Sequence, residues 1–546
     1  MKKYFLIFIL IVAALLRLWN LGGVPPSTSN DEASIGYNAY SVSKIGVDEY
    51  GKFPLLSQRA YDDWRRSTYL LLVVPLVSLF GLHSISIRLP SVILAIFTIL
   101  ATYHIVLLLF DRRSRIAEVT ALAAALLLAI SPWHVYISRI GHETNAYMSF
   151  FVFGILYFLG GLKIWKKLFF SVMFFTLSMV SYYAGQVIVP LIGVGLFIIY
   201  RVYISKLIYT NKKIVFGLLV CCIILIPIIW SLFSPESLVR FHGTSAFDPS
   251  SHGQEFSKQV LLYNQAVIRR DVIGMIRYNR RVFPVRVFIE GYLSHFSPTW
   301  LFANSGNESF KVPRMGLLNA WEIPLILIGL IAFLFHSQVN KKKKMLLFLW
   351  FILASVPASI ATQAPHAMRS YAILPVWQIF SAFGFAFLGE KLGKFNGVWV
   401  ALLLFFVAVT LRLFSINYFS LFPKEQSQSF YYAASKAIPY VLSVSSQYDS
   451  IVFSNQGNLY QSYMDYLYYS QYDPSLYQKQ GGTKSGGFAE THAIGKYQFR
   501  PIDWQKENNS LKTLYVGNVT DFPIGMTAEM TFTSLDGMPT ILAVSK

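Results

Sequence analysis

Apolar positions run in long blocks along this 546-residue chain, and polar positions gather in the gaps between them. Blocks fall near 3–20, 88–110, 116–133, 146–162, 167–183, 185–201, 214–233, 317–337, 345–362, 371–389 and 395–416. At about 1.5 Å per residue each is long enough to cross about 30 Å of hydrocarbon, so the pattern predicts eleven membrane-spanning helices. A further block, TYLLLVVPLVSLFGL from Thr68 to Leu82, is shorter and carries Pro75. It is expected to be a re-entrant or interfacial helix. Beyond Ile416 the chain turns polar and rich in Tyr, Ser and Gln. There YDSIVFS and LKTLYVG predict strands, and KEQSQSFYYAASKAIPYVLSV predicts a helix broken by Pro439. The expected organisation is a membrane domain over 1–416 and a small α/β domain over 417–546.

Charge then orients the spans. Lys+Arg number 47 against 27 Asp+Glu, a net charge of +20. Most of the basic residues stand in short gaps between apolar blocks, which argues for a membrane protein and against a nucleic-acid binder. Lys2 and Lys3, Arg112, Arg113 and Arg115, Lys163, Lys166 and Lys167, and the run Lys341 to Lys344 all fall on one face if there are eleven spans. That face is read as cytoplasmic. A twelfth crossing at Thr68–Leu82 would place the later basic gaps on the wrong side. The loops 21–87 and 234–316 and the tail are then extracytoplasmic. The N-terminal MKKYFLIFILIVAALLRLWN resembles a signal peptide but shows no small-residue cleavage site, so it is read as an uncleaved first span. Cys221 and Cys222 are adjacent in an apolar block and read as packing residues.

Candidate chemistry sits where acids and cations gather in the outer loops. Asp31-Glu32 follows the first block in PSTSNDEASIGYNAY. One reading is structural: Asn30 caps a helix, the acids favour its dipole, and the helix lies in the membrane interface. The other makes one carboxylate a general base, with its pKa raised by partial desolvation. Arg65 and Arg66 precede the short apolar block and could grip a phosphate or anchor at headgroups. In the second outer loop Arg139, His142 and Glu143 cluster. Arg139 and Glu143 are spaced for a local i, i+4 ion pair, and His142 with Glu143 makes only a weak half-site for a metal. His366 and Arg369, in PHAMRS, are read as phosphate contacts. Asp48-Glu49 reads as a turn. No nucleotide-binding glycine loop and no Asp-x-Asp occurs, so no cofactor is required by the sequence, and a divalent metal is left open.

The stretches RLWNLGGVPPSTSNDEASIGYNAYSVSKIGVDEYGKFPLLS, SIRLPSVILAIFTILATYHIVLLLF and ISPWHVYISRIGHETN resemble bacterial members of glycosyltransferase family 39. That family includes protein O-mannosyltransferases and aminoarabinose transferases with the membrane-embedded GT-C fold. PRMGLLNAWEIPLILIGL and PHAMRSYAILP are similar to its later part, and the resemblance covers about residues 15–390. It implies transfer of a sugar from a polyprenyl-phosphate carrier to a glycan, lipid or protein acceptor, usually with inversion, on the extracytoplasmic face. By the same match Asp31 is the base and Glu32 supports it, while Glu143 falls where such enzymes often carry an acid. Many members have a Lys/His-Pro-Pro-Leu motif before the re-entrant segment; here the place reads DDWRRSTYLLL. A lipid-linked-sugar flippase and a non-catalytic membrane scaffold are the alternatives.

Overall fold

The computed structural model describes residues 2–61, 63–110, 114–210, 226, 230, 253–303, 310–393, 396–484, 491–507 and 511–546. The chain forms two compact units. One comprises Met1–Leu16, Leu94–Ile137 and Thr144–Leu411, and the other Arg17–Ile93, Ser138–Glu143 and Arg412–Lys546.

The first unit is helical. Its elements come from α1 (Lys2–Leu18), α4 (Ser84–Leu109), α5 (Arg115–Ile130), α6 (Pro132–Ser138), α7 (Glu143–Gly161), α8 (Lys167–Ser181) and α9 (Tyr183–Thr210), followed by α10 (Gly253–Ile268), α11 (Val272–Arg277) and further helices up to Phe414. At its centre the helix Leu374–Leu392 lies against α5 and against Ile323–Phe335. Gly329 and Gly384 make that second crossing close. A Cβ at Gly329 would stand 1.8 Å from the Phe380 carbonyl oxygen, and one at Gly384 2.0 Å from that of Leu325. Small residues permit backbones to meet in this way where helices pack without a solvent-driven force between them.

By length and composition five helices can cross a membrane: Ser84–Leu109, Glu143–Gly161, Tyr183–Thr210, Tyr371–Leu392 and Gly397–Glu425. Arg115–Ile130 and Pro132–Ser138, bent by 57°, make a sixth if they form one broken span. Among the described residues the count therefore falls short of the eleven expected. The difference lies in helix ends that a hydropathy average does not see. At α8 the extended Tyr182 (φ −156°) stops the helix after 15 residues, about 22 Å. Lys341–Leu353 has 13 residues. The expected span 214–233 lies almost wholly outside the described residues.

The second unit joins the first polar loop to the tail. Here α2 (Asn30–Ile45) and α3 (Thr68–Phe80) flank a hairpin of β1 (Ser57–Ala60) and β2 (Asp63–Arg66). Ser57 pairs with Arg66 and Ala60 with Asp63, and Tyr61 opens the turn with φ +59°. The 13 residues of α3 reach only about 20 Å, too short for a crossing. Packing in α2 departs from the expected interfacial helix. Ala33 to Ala39 are all buried, between α3 and the tail helix Ser462–Tyr469. Gly36 lets Ile87 and Tyr468 approach, and a Cβ there would meet Ile87 at 2.5 Å.

The tail folds as an α/β domain. Its sheet holds β3 (Ser450–Phe453), β4 (His492–Ile494), β5 (Tyr497–Phe499), β6 (Thr513–Asn518), β7 (Met530–Thr533) and β8 (Pro539–Ser545), in the order β4-β5-β3-β6-β8-β7. The β3 strand is parallel to β5 and β6, and the remaining pairs are antiparallel. Both strands expected from sequence form. The expected helix break does not fall at Pro439, which lies inside the helix Tyr432–Val444. The helix starts instead after Tyr431, whose φ is +51°. Burial of Ala433, Ala434, Ala437, Ile438 and Val441 holds the helix through the bond that Pro439 cannot make.

Candidate active site

Asp31 stands in the first turn of α2, and the local sequence fixes it there. Ser29, not Asn30, is the N-cap. The Ser29 hydroxyl accepts from the Glu32 N–H at 3.3 Å, and the Glu32 carboxylate accepts from the Ser29 N–H at 3.1 Å. This reciprocal box closes the first turn. The Asn30 side chain instead donates to the Tyr460 carbonyl at 3.0 Å.

Glu32 is buried in a dense donor set. Arg88 Nε lies 2.8 Å from its Oε1 and Arg88 Nη2 2.9 Å from its Oε2, and the Gly141 N–H donates to Oε1 at 2.8 Å. The same guanidinium donates to the carbonyls of Leu21 (2.9 Å), Pro25 (3.1 Å) and Ser27 (2.5 Å). One bidentate pair therefore ties α2, α4, the loop after α1 and the turn at Gly141 together. Glu32 serves here as an anchor. Arg88 escaped the sequence reading because it sits at the edge of an apolar block, 56 residues from its partner.

Asp31 is placed differently. Its side chain is 42% exposed, and Arg65 Nη2 stands 2.5 Å from Oδ1. On the other oxygen, Oδ2, His142 Nε2 approaches to 4.0 Å, while His142 Nδ1 lies 3.6 Å from Glu143 Oε2. The β2 strand and the turn before α7 thus bring Arg65 and His142 to one carboxylate, with Glu143 against His142. Its carboxylate is neither buried nor fully open to solvent, and Arg65 sets a cation against it. Burial alone would push the Arg65 guanidinium down, but the charges of Asp31 and Glu143 outweigh that and hold it above its ordinary value. Arg65 Nη1 is buried with no hydrogen-bond partner among the described residues, which leaves a donor directed by the β2 strand and unused.

Arg66 is buried at the end of β2. Arg139 makes no i, i+4 pair with Glu143, because α6 ends at Ser138 and α7 begins at Glu143, so no helix joins them. Its guanidinium donates to the carbonyls of Arg17 (2.8 Å), Asn20 (3.3 Å) and Val24 (2.7 Å) and lies 5.4 Å from the Tyr418 ring centroid. His366 and Arg369 belong to the other unit. The His366 N–H donates to His295 Nε2 at 3.1 Å, and Arg369 Nη1 donates to the Thr362 carbonyl at 2.6 Å. Among the described residues no group of three or more His, Cys, Asp or Glu is arranged to hold a metal ion.

The tail contributes a group that the sequence reading missed. Asp465, in the helix Ser462–Tyr469, is buried, and its Oδ2 has no hydrogen-bond partner among the described residues. Its charge and that of Asp31 both act on the Tyr61 and Tyr431 hydroxyls. Burial pushes the Asp465 carboxyl up to about 8, from 3.8. The folded state then keeps a proton that the unfolded chain releases above pH 4, so this group costs stability increasingly from pH 4 to 8. Asp465→Asn is expected to stabilise the full chain at pH 8 by on the order of 1–3 kcal/mol. The gain should vanish near pH 4, as thermal unfolding across pH would show; a gain independent of pH would refute the assignment. The Glu49 carboxylate accepts from Asn38 Nδ2 (3.0 Å), Tyr463 Oη (3.2 Å) and Thr483 Oγ1 (2.7 Å), so its turn is also a joint to the tail.

The family model for dolichyl-phosphate-mannose-protein mannosyltransferases matches residues 70–230. ArnT from Cupriavidus metallidurans is similar over 99% of this chain and 97% of its own. The TM-score is 0.53 at 10% identity in its apo state and 0.52 at 11% when bound to undecaprenyl phosphate. The chain has the GT-C fold. The GT-C resemblance extends to the Archaeoglobus fulgidus oligosaccharyltransferase tethered to an acceptor peptide with the NVT sequon. That match has a TM-score of 0.50 at 14% identity, over 86% of this chain and 63% of that one. Among curated proteins none matches the chain significantly by sequence. Its apolar helices and its GT-C neighbours make it a membrane protein.

Proposed function

We propose that this GT-C protein is a glycosyltransferase that moves a sugar from a polyprenyl-phosphate carrier to an acceptor hydroxyl or amine at the extracytoplasmic rim of the membrane. The observation that carries the reading is the half-exposed Asp31 carboxylate, held between Arg65 and His142 on a turn locked by Glu32 and Arg88. A neighbour with this fold binds undecaprenyl phosphate, which supports a lipid-phosphate donor.

In the proposed single displacement, Asp31 takes the acceptor proton as the acceptor attacks the anomeric carbon. The bond from that carbon to the phosphate oxygen breaks, the configuration inverts, and polyprenyl phosphate leaves with the bonding pair. Arg65 would offer its unused Nη1 to the departing phosphate, where a fixed cation favours the charge that develops. In drawing toward phosphate, Arg65 would loosen its hold on Asp31 and free the base when donor is present. His142 would receive the proton from Asp31, with Glu143 steadying the imidazolium. His366 and Arg369 are proposed as further phosphate contacts, on the sequence alone.

The test uses the purified full chain in vesicles with a panel of hexosyl and pentosyl polyprenyl phosphates and a membrane extract as acceptor. Release of polyprenyl phosphate together with an inverted glycoside is expected. Donor carried across the bilayer intact would overturn the reading. Arg65→Gln is expected to lower turnover about 10²-fold. Arg65→Lys should restore little of it, because a point charge cannot serve carboxylate and phosphate together; wild-type turnover by either variant would remove Arg65 from the mechanism.

A further inference from the structure

The segment from Arg269 to Glu290 carries six arginines against two acids. Both acids are engaged: Asp271 caps α11 by accepting from the Gly274 N–H at 2.9 Å, and Glu290 pairs with Arg286 at 3.6 Å. The helix that starts this segment is turned inside out. In α11, Gly274 is buried while Val272, Ile273 and Ile276 are 62%, 78% and 63% exposed, and Ile268 just before it is 81% exposed. Apolar side chains presented outward between arginines suit the zone where acyl chains meet headgroups.

Next to α11 in the chain, α10 and the turn Tyr278–Arg281 line a cleft of about 470 Å³, within the range of about 300–1,000 Å³ usual for ligand sites. Its lining combines Arg280 and Arg281 with Phe256, Val260, Tyr263 and Gln259. Gln259 is 2% exposed and donates to the Arg277 carbonyl, which holds the two helices around the cleft. Among the described residues neither Arg280 nor Arg281 has a carboxylate partner.

We propose that this cleft binds the phosphate headgroup of an anionic phospholipid, with Arg280 and Arg281 on the phosphate and Val272, Ile273 and Ile276 against the acyl chains. Charge complementarity selects an anion, and the adjoining apolar surface selects one that carries a hydrocarbon tail. The proposal does not depend on the catalytic reading.

Native mass spectrometry of the full chain in detergent tests it, with phosphatidylglycerol, phosphatidylcholine and inorganic phosphate as probes. Phosphatidylglycerol should be retained about tenfold better than phosphatidylcholine, and R280Q/R281Q should abolish that preference while R280K/R281K keeps most of it. Asp31→Asn should leave it unchanged. Equal retention of the two lipids, an undiminished preference in R280Q/R281Q, or inorganic phosphate competing as well as phosphatidylglycerol would each overturn the proposal. Unchanged thermal unfolding of R280Q/R281Q separates loss of the site from loss of the fold.

Discussion

Asp31→Asn is expected to lower turnover by about 10²–10⁴-fold while the protein folds, melts and binds donor as before. The asymmetry follows from how the acidic pair is used. The Asp31 carboxylate is 42% exposed and contributes no bond to the α2 cap, which Ser29 and Glu32 close between them. An amide of the same shape keeps one oxygen for Arg65 and His142 but cannot accept the acceptor proton. Single-turnover kinetics with a competent donor, alongside donor binding and melting temperature, check all three expectations. Turnover within threefold of wild type would show that another group takes the proton. His142→Gln is the informative companion. If His142 only receives the proton from Asp31, its loss should cost less than loss of Asp31 and shift the pH dependence.

Much of this site could be read before the fold was known, because acids are scarce in the chain and an acidic pair after an apolar block stands out. Asp31, Arg65, His142 and Glu143 come from three separate stretches, and each was legible as a polar residue at the edge of an apolar run. Their convergence was not, since it depends on the β1–β2 hairpin register that turns Arg65 toward α2 and on the break between α6 and α7 that frees His142 from a helix. Equal spacing misled at Arg139, where i, i+4 implied a pair and the missing helix removed it. The tail's share was illegible for another reason. Asp465 and Tyr463 lie more than 400 residues from Asp31 and Glu49, and no local pattern marks a contact at such separation. Eleven spans are not confirmed among the described residues, because hydropathy does not register where a helix ends, as at Tyr182, whose extended backbone ends a helix in apolar surroundings.

Arg88→Ala is expected to fail in the opposite way from Asp31→Asn, losing stability and activity together. Removal of one partner from a buried ion pair costs about 3–5 kcal/mol, because the other charge remains buried without compensation. Here the loss goes further, since Arg88 also satisfies the carbonyls of Leu21, Pro25 and Ser27. Pairing it with Glu32→Leu should not rescue the protein. That change removes the stranded carboxylate but leaves those three carbonyls and the Gly141 N–H without partners. Arg88→Ala should therefore lower the melting temperature of the full chain by roughly 5 °C or more, on the scale of 2–4 °C per kcal/mol for large domains. The double variant should recover only part of this. Turnover should fall in both variants, because Glu32 holds the same helical turn that carries Asp31. A melting temperature unchanged by Arg88→Ala, or full recovery in the double variant, would mean that α2 is positioned by its packing against α3 and the tail and that the buried pair is dispensable.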